Sequence, residues 1–148
     1  MKNIAMVAAT AVAFIAVPAK ADETRLEARG GVVWFDGGEE AVAGVAAGHD
    51  FHLDESFFIG IEGSADKVLA DGADVLFGAT ARAGFIVAED LKLFVAAGYS
   101  FNNSDAVHAG GGLQYNVSDQ VYLKTEYRIY FDGFANINSA VAGVGFRF

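Results

Sequence analysis

Hydrophobic and polar residues alternate along most of the chain with a period of two. The clearest segment runs from Val121 to Phe131, where one face is mostly apolar and the other carries Lys124, Glu126 and Arg128. Such alternation is typical of a β-strand that separates two environments. Because Lys or Arg facing lipid near the membrane midplane costs about 2–4 kcal/mol, the charged face is predicted to point inward.

The same alternation predicts eight strands, separated by short segments rich in Asp, Asn, Gly and Ser. The predicted strands cover residues 24–35, 41–53, 56–65, 74–87, 91–102, 106–117, 120–131 and 138–148. Their length suits tilted strands that cross a bilayer, and single-chain outer-membrane barrels have an even number of strands. The predicted fold class is all-β, an eight-stranded antiparallel up-and-down transmembrane β-barrel. Its inner turns are expected to be shorter than most of its outer loops.

Aromatic residues occupy many of the predicted outward positions, mostly near strand ends. They are Trp34, Phe51, Phe57, Phe85, Tyr99, Phe101, Tyr115, Phe131, Phe146 and Phe148. Aromatic girdles of this kind mark the two interfaces of a membrane. A soluble, lipocalin-like barrel would instead be apolar inside and polar outside, which is the opposite of the predicted polarity.

The inward positions collect charges and glycines. Apart from Lys67, predicted to lie in a loop, the basic residues after residue 21 all point inward: Arg25, Arg29, Arg82, Lys92, Lys124, Arg128 and Arg147. The predicted inward acids are Glu27, Asp50, Glu62 and Glu126. Side chains can fill the interior of an eight-stranded barrel, so we expect a plugged lumen, with glycines leaving room for long side chains.

A charge network is predicted at the centre of this lumen. It comprises Glu27, Arg29, Glu62, Arg82, Lys124, Glu126, Arg128 and Arg147. Two roles are open for it. It is either a satisfied polar core that holds the barrel together, or a gate that opens by re-pairing around Glu126.

The N-terminus has the pattern of an export signal. Lys2 precedes an apolar run from Ile4 to Val17, which ends in Pro18-Ala-Lys-Ala21. A positive start, a short apolar run and an Ala-x-Ala site define a cleavable signal peptide. Residues 1–21 are therefore predicted to be removed, leaving residues 22–148 as one barrel domain.

Composition narrows the possible functions. The net charge of −9 argues against nucleic acid, since its binding needs a basic surface. The absence of cysteine excludes disulfides and thiol chemistry. Mean hydropathy is +0.32 and 53% of residues are hydrophobic, yet no apolar segment after the signal has the length of a membrane helix. High hydrophobicity without such a helix favours spanning strands.

Four segments carry a resemblance to a known family: residues 93–99, 110–115, 121–128 and 143–148. The chain resembles the small eight-stranded outer-membrane barrels, namely the OmpA-like transmembrane domain and the opacity-type porin family proteins. The resemblance implies that Val144, Phe146 and Phe148 form the C-terminal signal read by the barrel-assembly machinery. It also implies that the strand with Lys124, Glu126 and Arg128 is the charged lumen strand of that family.

The resemblance also implies a setting and partners. The expected location is the outer membrane of a Gram-negative bacterium, reached after export. The expected partners are outer-membrane lipids and lipopolysaccharide, with the barrel-assembly machinery and periplasmic chaperones during biogenesis. We expect a monomer. Because the chain ends with the barrel, the peptidoglycan-binding domain of full-length OmpA-like proteins is not expected.

Neither catalysis nor metal binding is expected. A lipid-modifying enzyme needs a nucleophile and a base in hydrogen-bond reach, but Ser100 and His108 share the lumen, where lipid does not enter. His49 points outward and has no serine two residues along. The segment 49–54 contains possible metal ligands, yet alternation places His49 and His52 on opposite faces. No cofactor is expected either.

The leading functional prediction is a non-enzymatic outer-membrane barrel with a structural or porin-like role, as a small or gated pore. The alternative is a surface recognition protein, an adhesin or antigen. It would act through acidic outer loops, containing Glu39, Glu40 and the segment from Asp66 to Asp74.

Overall fold

The barrel is seen in a computed structural model that describes residues 22–70, 72–102, 105–132 and 135–148. The predicted signal peptide, residues 1–21, lies outside the described residues and stays a prediction. Within the described part of the chain, no helix has the length and apolar character needed to cross a membrane.

Eight antiparallel strands form one sheet that closes on itself. They are β1 (Glu23–Phe35), β2 (Gly38–His52), β3 (Phe57–Val68), β4 (Val75–Ala88), β5 (Leu91–Phe101), β6 (Ala106–Asn116), β7 (Val121–Asp132) and β8 (Ala135–Arg147). Each strand pairs with the next along the chain, and β1 also pairs with β8. The predicted eight-stranded antiparallel barrel is confirmed.

The two ends of the barrel differ and are named here by position. The terminal end holds the start of β1, the end of β8 and the connections 53–56, 89–90 and 117–120. The distal end holds the ends of β1, β3, β5 and β7 and the starts of β2, β4, β6 and β8. The prediction that the inner turns are shorter than most of the outer loops is wrong: the strand bounds leave two residues between β1 and β2 and between β7 and β8, but four between β2 and β3 and between β6 and β7.

The register places alternate residues on opposite faces of the wall, as the alternation predicted. In β7, Lys124, Glu126 and Arg128 are buried in the lumen, whereas Leu123 and Tyr127 are exposed on the exterior. Most of the large exposed hydrophobic side chains lie on this outer wall, with Val95 67% exposed. The exterior is therefore apolar and the interior charged, which is the reverse of a water-soluble barrel.

Strand boundaries at the distal end depart from the predicted ones. β2 begins at Gly38 rather than residue 41, because Gly37 takes a positive φ of 106° that glycine tolerates, and Phe35 pairs directly with Gly38. β8 begins at Ala135 rather than residue 138. The extra residues lengthen the wall at this end, so less of the chain lies in loops than predicted.

The predicted acidic loops are partly wrong for the same reason. Glu39 and Glu40 belong to β2, and Asp66 and Lys67 belong to β3. Lys67 is exposed, whereas Asp66 is buried in the lumen. Asp66 is held there by Arg29, whose Nε donates a hydrogen bond to Asp66 Oδ1 at 2.9 Å.

Candidate functional site in the barrel lumen

Glu62 on β3 is the centre of the charge network in the middle of the lumen. Its carboxylate lies 3.3 Å from Arg25 Nη1, 3.2 Å from Arg29 Nη1, 3.4 Å from Lys124 Nζ and 3.7 Å from Arg128 Nη2. These cations come from β1 and β7, so their ion pairs cross the interior from one side of the wall to another. Glu62 is only 6% exposed, and the crossing pairs leave little space along the barrel axis.

Two further acids complete this cluster. Lys124 Nζ lies 2.9 Å from Glu27 and 3.4 Å from Glu126, and Arg128 Nε donates to Glu126 at 2.8 Å. The Tyr122 hydroxyl donates to Glu27 at 3.0 Å. Six of the eight residues predicted for the network therefore lie in one cluster: Glu27, Arg29, Glu62, Lys124, Glu126 and Arg128.

Arg82 and Arg147, the remaining predicted members, lie in a second cluster nearer the terminal end. Asp50 is its centre: it forms an ion pair with Arg82 and lies 3.4 Å from Arg25 and 3.3 Å from Lys92. Arg147 Nη1 donates instead to Glu23 at 3.1 Å. Arg25 contacts both Asp50 and Glu62, so it links the two clusters into one continuous network.

Glu23 and Asp66 are lumen acids that the sequence analysis missed. Glu23 accepts hydrogen bonds from Lys92 at 3.2 Å and Gln114 at 3.0 Å. It lies one residue before the predicted start of the first strand, and Asp66 lies one residue beyond the predicted end of the third. Starting the first predicted strand one residue earlier and ending the third one residue later would have included both acids. Including Glu23 and Asp66, the lumen holds seven basic and six acidic residues. The net charge that is buried inside the barrel is therefore small.

An apolar layer closes the lumen towards the terminal end. Phe58 and Phe94 are buried and pack with Ala96 and Ile86. The Arg82 guanidinium carbon lies 5.2 Å from the ring centre of Phe58 and 4.9 Å from that of Phe94, within reach of a cation–π interaction. The charges and rings are therefore packed together.

Glycines give the long side chains their space, as predicted. A Cβ at Gly48 would stand 2.5 Å from Arg25 Nη2, and a Cβ at Gly145 would stand 2.5 Å from the Tyr122 ring. Real Cβ atoms do not approach other atoms this closely. Gly48 and Gly145 thus make room for Arg25 and Tyr122, whereas a Cβ at Gly84 or Gly110 would meet the backbone of the neighbouring strand.

The distal end of the lumen is different, since it contains an open apolar cup of about 140 Å³. Its lining is Val33, Phe35, Val42, Asp66, Val68, Leu76, Ser100, Ala106, Tyr130, Ile137 and Ser139. At this level His108 is fully buried, between Ser100 Oγ and Thr80 Oγ1, each at 2.8 Å. The sequence analysis predicted a filled, charged lumen and did not predict this cup.

The other histidines lie outside the lumen network. His49 is on the outer wall, where its ring lies 2.9 Å from Thr24 Oγ1 and 3.6 Å from Asp22. The sequence analysis missed the Thr24 hydroxyl as a neighbour of His49, because Thr24 is on β1 and His49 is on the adjacent strand β2. Thr24 is itself buried, so its oxygen does not face a substrate. Among the described residues, no group of three or more acidic, His or Cys side chains is arranged to hold a metal ion.

The residues of the predicted C-terminal signal lie on the outer wall. Val144, Phe146 and Phe148 are 51%, 58% and 65% exposed. Val144 and Phe146 are in β8, and Phe148 follows it, where its backbone exchanges hydrogen bonds with Thr24 of β1. The three side chains thus form an apolar row beside the seam between the first and last strands.

Comparison with known proteins identifies structures of the same fold. No protein-family model matches the chain, and no curated protein matches it. The N-terminal β-barrel domain of OprF from Pseudomonas aeruginosa matches with a TM-score of 0.65 and 18% identity, covering 85% of this chain and 97% of that domain. Ail from Yersinia pestis matches with a TM-score of 0.66 and 16% identity, covering 88% and 100%.

Neisserial surface protein A is a third match, with a TM-score of 0.59 and 18% identity, covering 89% of this chain and all of that one. All three are small eight-stranded outer-membrane barrels of the OmpA/Ail type. At this level of identity the similarity concerns the fold, and the chain has that fold.

Proposed function

We propose that this chain is an integral outer-membrane barrel with a structural, non-enzymatic role and a closed lumen. The apolar exterior supports the membrane setting, because exposed side chains such as Val45, Phe85 and Val95 would be costly in water and are suited to lipid. The three structural neighbours, which are outer-membrane proteins, support the same setting. In this proposal the terminal end faces the periplasm and the distal end faces outside.

The single observation that supports a closed lumen is the set of ion pairs that crosses the lumen at Glu62. Four cations from β1 and β7 contact this one carboxylate, and all of them are at least 94% buried. An ion would have to separate these pairs to pass. Breaking a buried pair by removing one partner costs about 3–5 kcal/mol, so steady conduction through the resting barrel is not expected.

The test is conductance of the refolded barrel, residues 22–148, in a planar bilayer. Folding is first confirmed by a gel shift between unheated and boiled samples. A folded barrel that leaves the bilayer silent is the expected result. Steady, discrete openings of the folded wild-type protein would contradict a closed lumen.

A gated pore is the second candidate, and the spacing of the charges favours it. Lys124 lies within 3.4 Å of Glu27, Glu62 and Glu126, and Arg128 is close to both Glu62 and Glu126. The cations therefore have a second acid within reach and can change partners with small movements. Under this candidate, Glu126→Ala produces openings that the wild type lacks. Glu39→Gln on the outer wall is the control, and silence in both variants would reject the gate.

Surface recognition is the less supported alternative. The distal connections are short, and Glu39, Glu40 and Asp66 lie in strands rather than in loops. One Ail structure was solved with the heparin analogue sucrose octasulfate. Such a polyanion does not fit the distal rim of this chain, where Asp36, Asp74 and Asp105 are accompanied by few cations.

The proposed partners follow from the outer wall. Outer-membrane lipids and lipopolysaccharide would surround the apolar face. The barrel-assembly machinery would read the exposed row Val144, Phe146 and Phe148 after periplasmic chaperones deliver the exported chain. The proposed state is a monomer.

A further inference from the structure

The distal cup has the size and lining of a small-molecule site. Its volume is about 140 Å³, and an engineered apolar cavity of about 150 Å³ holds one benzene molecule. Most of its lining is aliphatic or aromatic, including Val33, Val42, Leu76 and Ile137. The cup therefore has room for one six-membered ring and little more.

An unpaired carboxylate lies above this cup on the same face of the wall. Glu40 pairs with Val33 in the register between β1 and β2 and alternates with Val42 along β2; both valines line the cup. Glu40 is partly buried and forms no ion pair with any described residue. Arg29, the nearest lumen cation along β1, is engaged by Asp66 and Glu62.

The charge around the opening favours a cation. Exposed acids at the distal end include Asp36, Glu39, Asp74 and Asp105, and Lys67 is a nearby base. A carboxylate ligand would be repelled by this rim, whereas an ammonium would be attracted to it. Glu40 would then form a charge-assisted hydrogen bond with that ammonium.

From these observations we propose that the distal cup binds a primary amine that carries a single aromatic ring. The ring fills the apolar cup between Val33, Val42 and Leu76. A two-carbon spacer places the ammonium at Glu40. The cup lies between the charge network and the distal opening and shares Asp66 with that network, but its binding of an amine does not depend on whether the barrel conducts ions.

The test is calorimetric titration of the refolded barrel in non-ionic detergent micelles. Phenethylamine is the probe, and 3-phenylpropionate is an anionic molecule of similar size with the same ring. Empty micelles provide the blank for partitioning into detergent. We expect saturable binding of the amine, with an affinity about tenfold or more above that of the acid, as a charge-assisted hydrogen bond supplies.

Two adjacent glutamates provide a matched pair of variants. Glu40→Gln removes the carboxylate on the lumen face and is expected to weaken amine binding about tenfold. Glu39→Gln makes the same change in charge on the outer wall, where Glu39 pairs with Trp34, and is expected to leave the affinity within about twofold. The difference between them separates a specific contact from general attraction to an acidic rim.

Two further variants fill the cup itself. Ala106 is 5% exposed and Val42 is 8% exposed, so Ala106→Leu and Val42→Phe each place new atoms where the ring would lie. Binding of both probes is expected to disappear in either variant, provided that the gel shift shows a folded barrel. The proposal is overturned by equal affinity for amine and acid, by equal losses in the two glutamate variants, or by amine binding that survives in a folded, filled cup.

Discussion

The middle and the distal end of the lumen are built on the same eight strands, yet one is closed and the other is open. In the middle, long side chains such as Arg25 of β1 and Lys124 of β7 extend into the lumen and meet at Glu62 of β3. At the distal end, Val33, Val42 and Ala106 are too short to meet and leave about 140 Å³ between them. The difference shows that side-chain length and charge, rather than strand number, decide whether this barrel is filled.

The largest effect is expected from removing the centre of the closed region. Glu62→Gln keeps the size of the side chain but leaves four cations without their shared carboxylate. The free energy of unfolding should fall by about 3–5 kcal/mol. Urea unfolding in lipid vesicles, followed by the gel shift, measures it.

Glu39→Gln on the outer wall is the control for Glu62→Gln and should change stability by less than about 0.5 kcal/mol. A loss in Glu62→Gln as small as that of the control would show that the network does not hold the middle of the barrel together.

An intermediate effect is expected from overfilling the closed region. Gly145→Ala places a methyl group against the Leu26 carbonyl oxygen and the Tyr122 ring and should lower the free energy of unfolding by about 1–3 kcal/mol. Gly63→Ala is the control, since its Cβ would meet nothing within 4 Å. That variant should be unchanged or more stable by about 0.4–1 kcal/mol. Equal stability of the two alanine variants in vesicle unfolding would contradict tight packing around Gly145.

The smallest effect, with the opposite sign, is expected in the open region. Ala106→Leu adds apolar atoms to the cup, and filling a cavity of this kind commonly adds about 0.5–2 kcal/mol of stability. The same unfolding measurement compares it with Gly145→Ala. A large loss of stability in Ala106→Leu would mean that the cup is as tightly packed as the middle, and the contrast between the two regions would be wrong.

The fold could be predicted because the two faces of each strand meet different surroundings. Lys124, Glu126 and Arg128 lie on one face of their strand and mostly apolar residues lie on the other. This one strand therefore indicates which face of the whole sheet points into the lumen. The lumen position of the predicted charges followed from the same regularity. Their functional role, a polar core or a gate, stays a prediction, because a static arrangement of ion pairs is compatible with both.

The parts that could not be predicted depend on contacts between distant strands. Asp66 was assigned to a loop, whereas its backbone pairs with Gly44 and Leu76, and Arg29, 37 residues away, holds its carboxylate. The outward position predicted for Phe57 leaves Phe58 facing inward, but the packing of Phe58 against Phe94 of β5 depends on a contact between distant strands. The cup was missed because its volume is set by residues from several strands, each unremarkable by itself.

The seam between β1 and β8 has a consequence for how the barrel forms. Residues Arg25 to Trp34 of β1 pair with residues Arg147 to Asn138 of β8. Glu27 of β1 forms an ion pair with Lys124 and accepts a hydrogen bond from Tyr122, both on β7. A growing sheet that lacks its last strands would hold these lumen charges open to water. Assembly should therefore be cooperative, because only closure of the ring gives the first strand its partners and expels the water in one step.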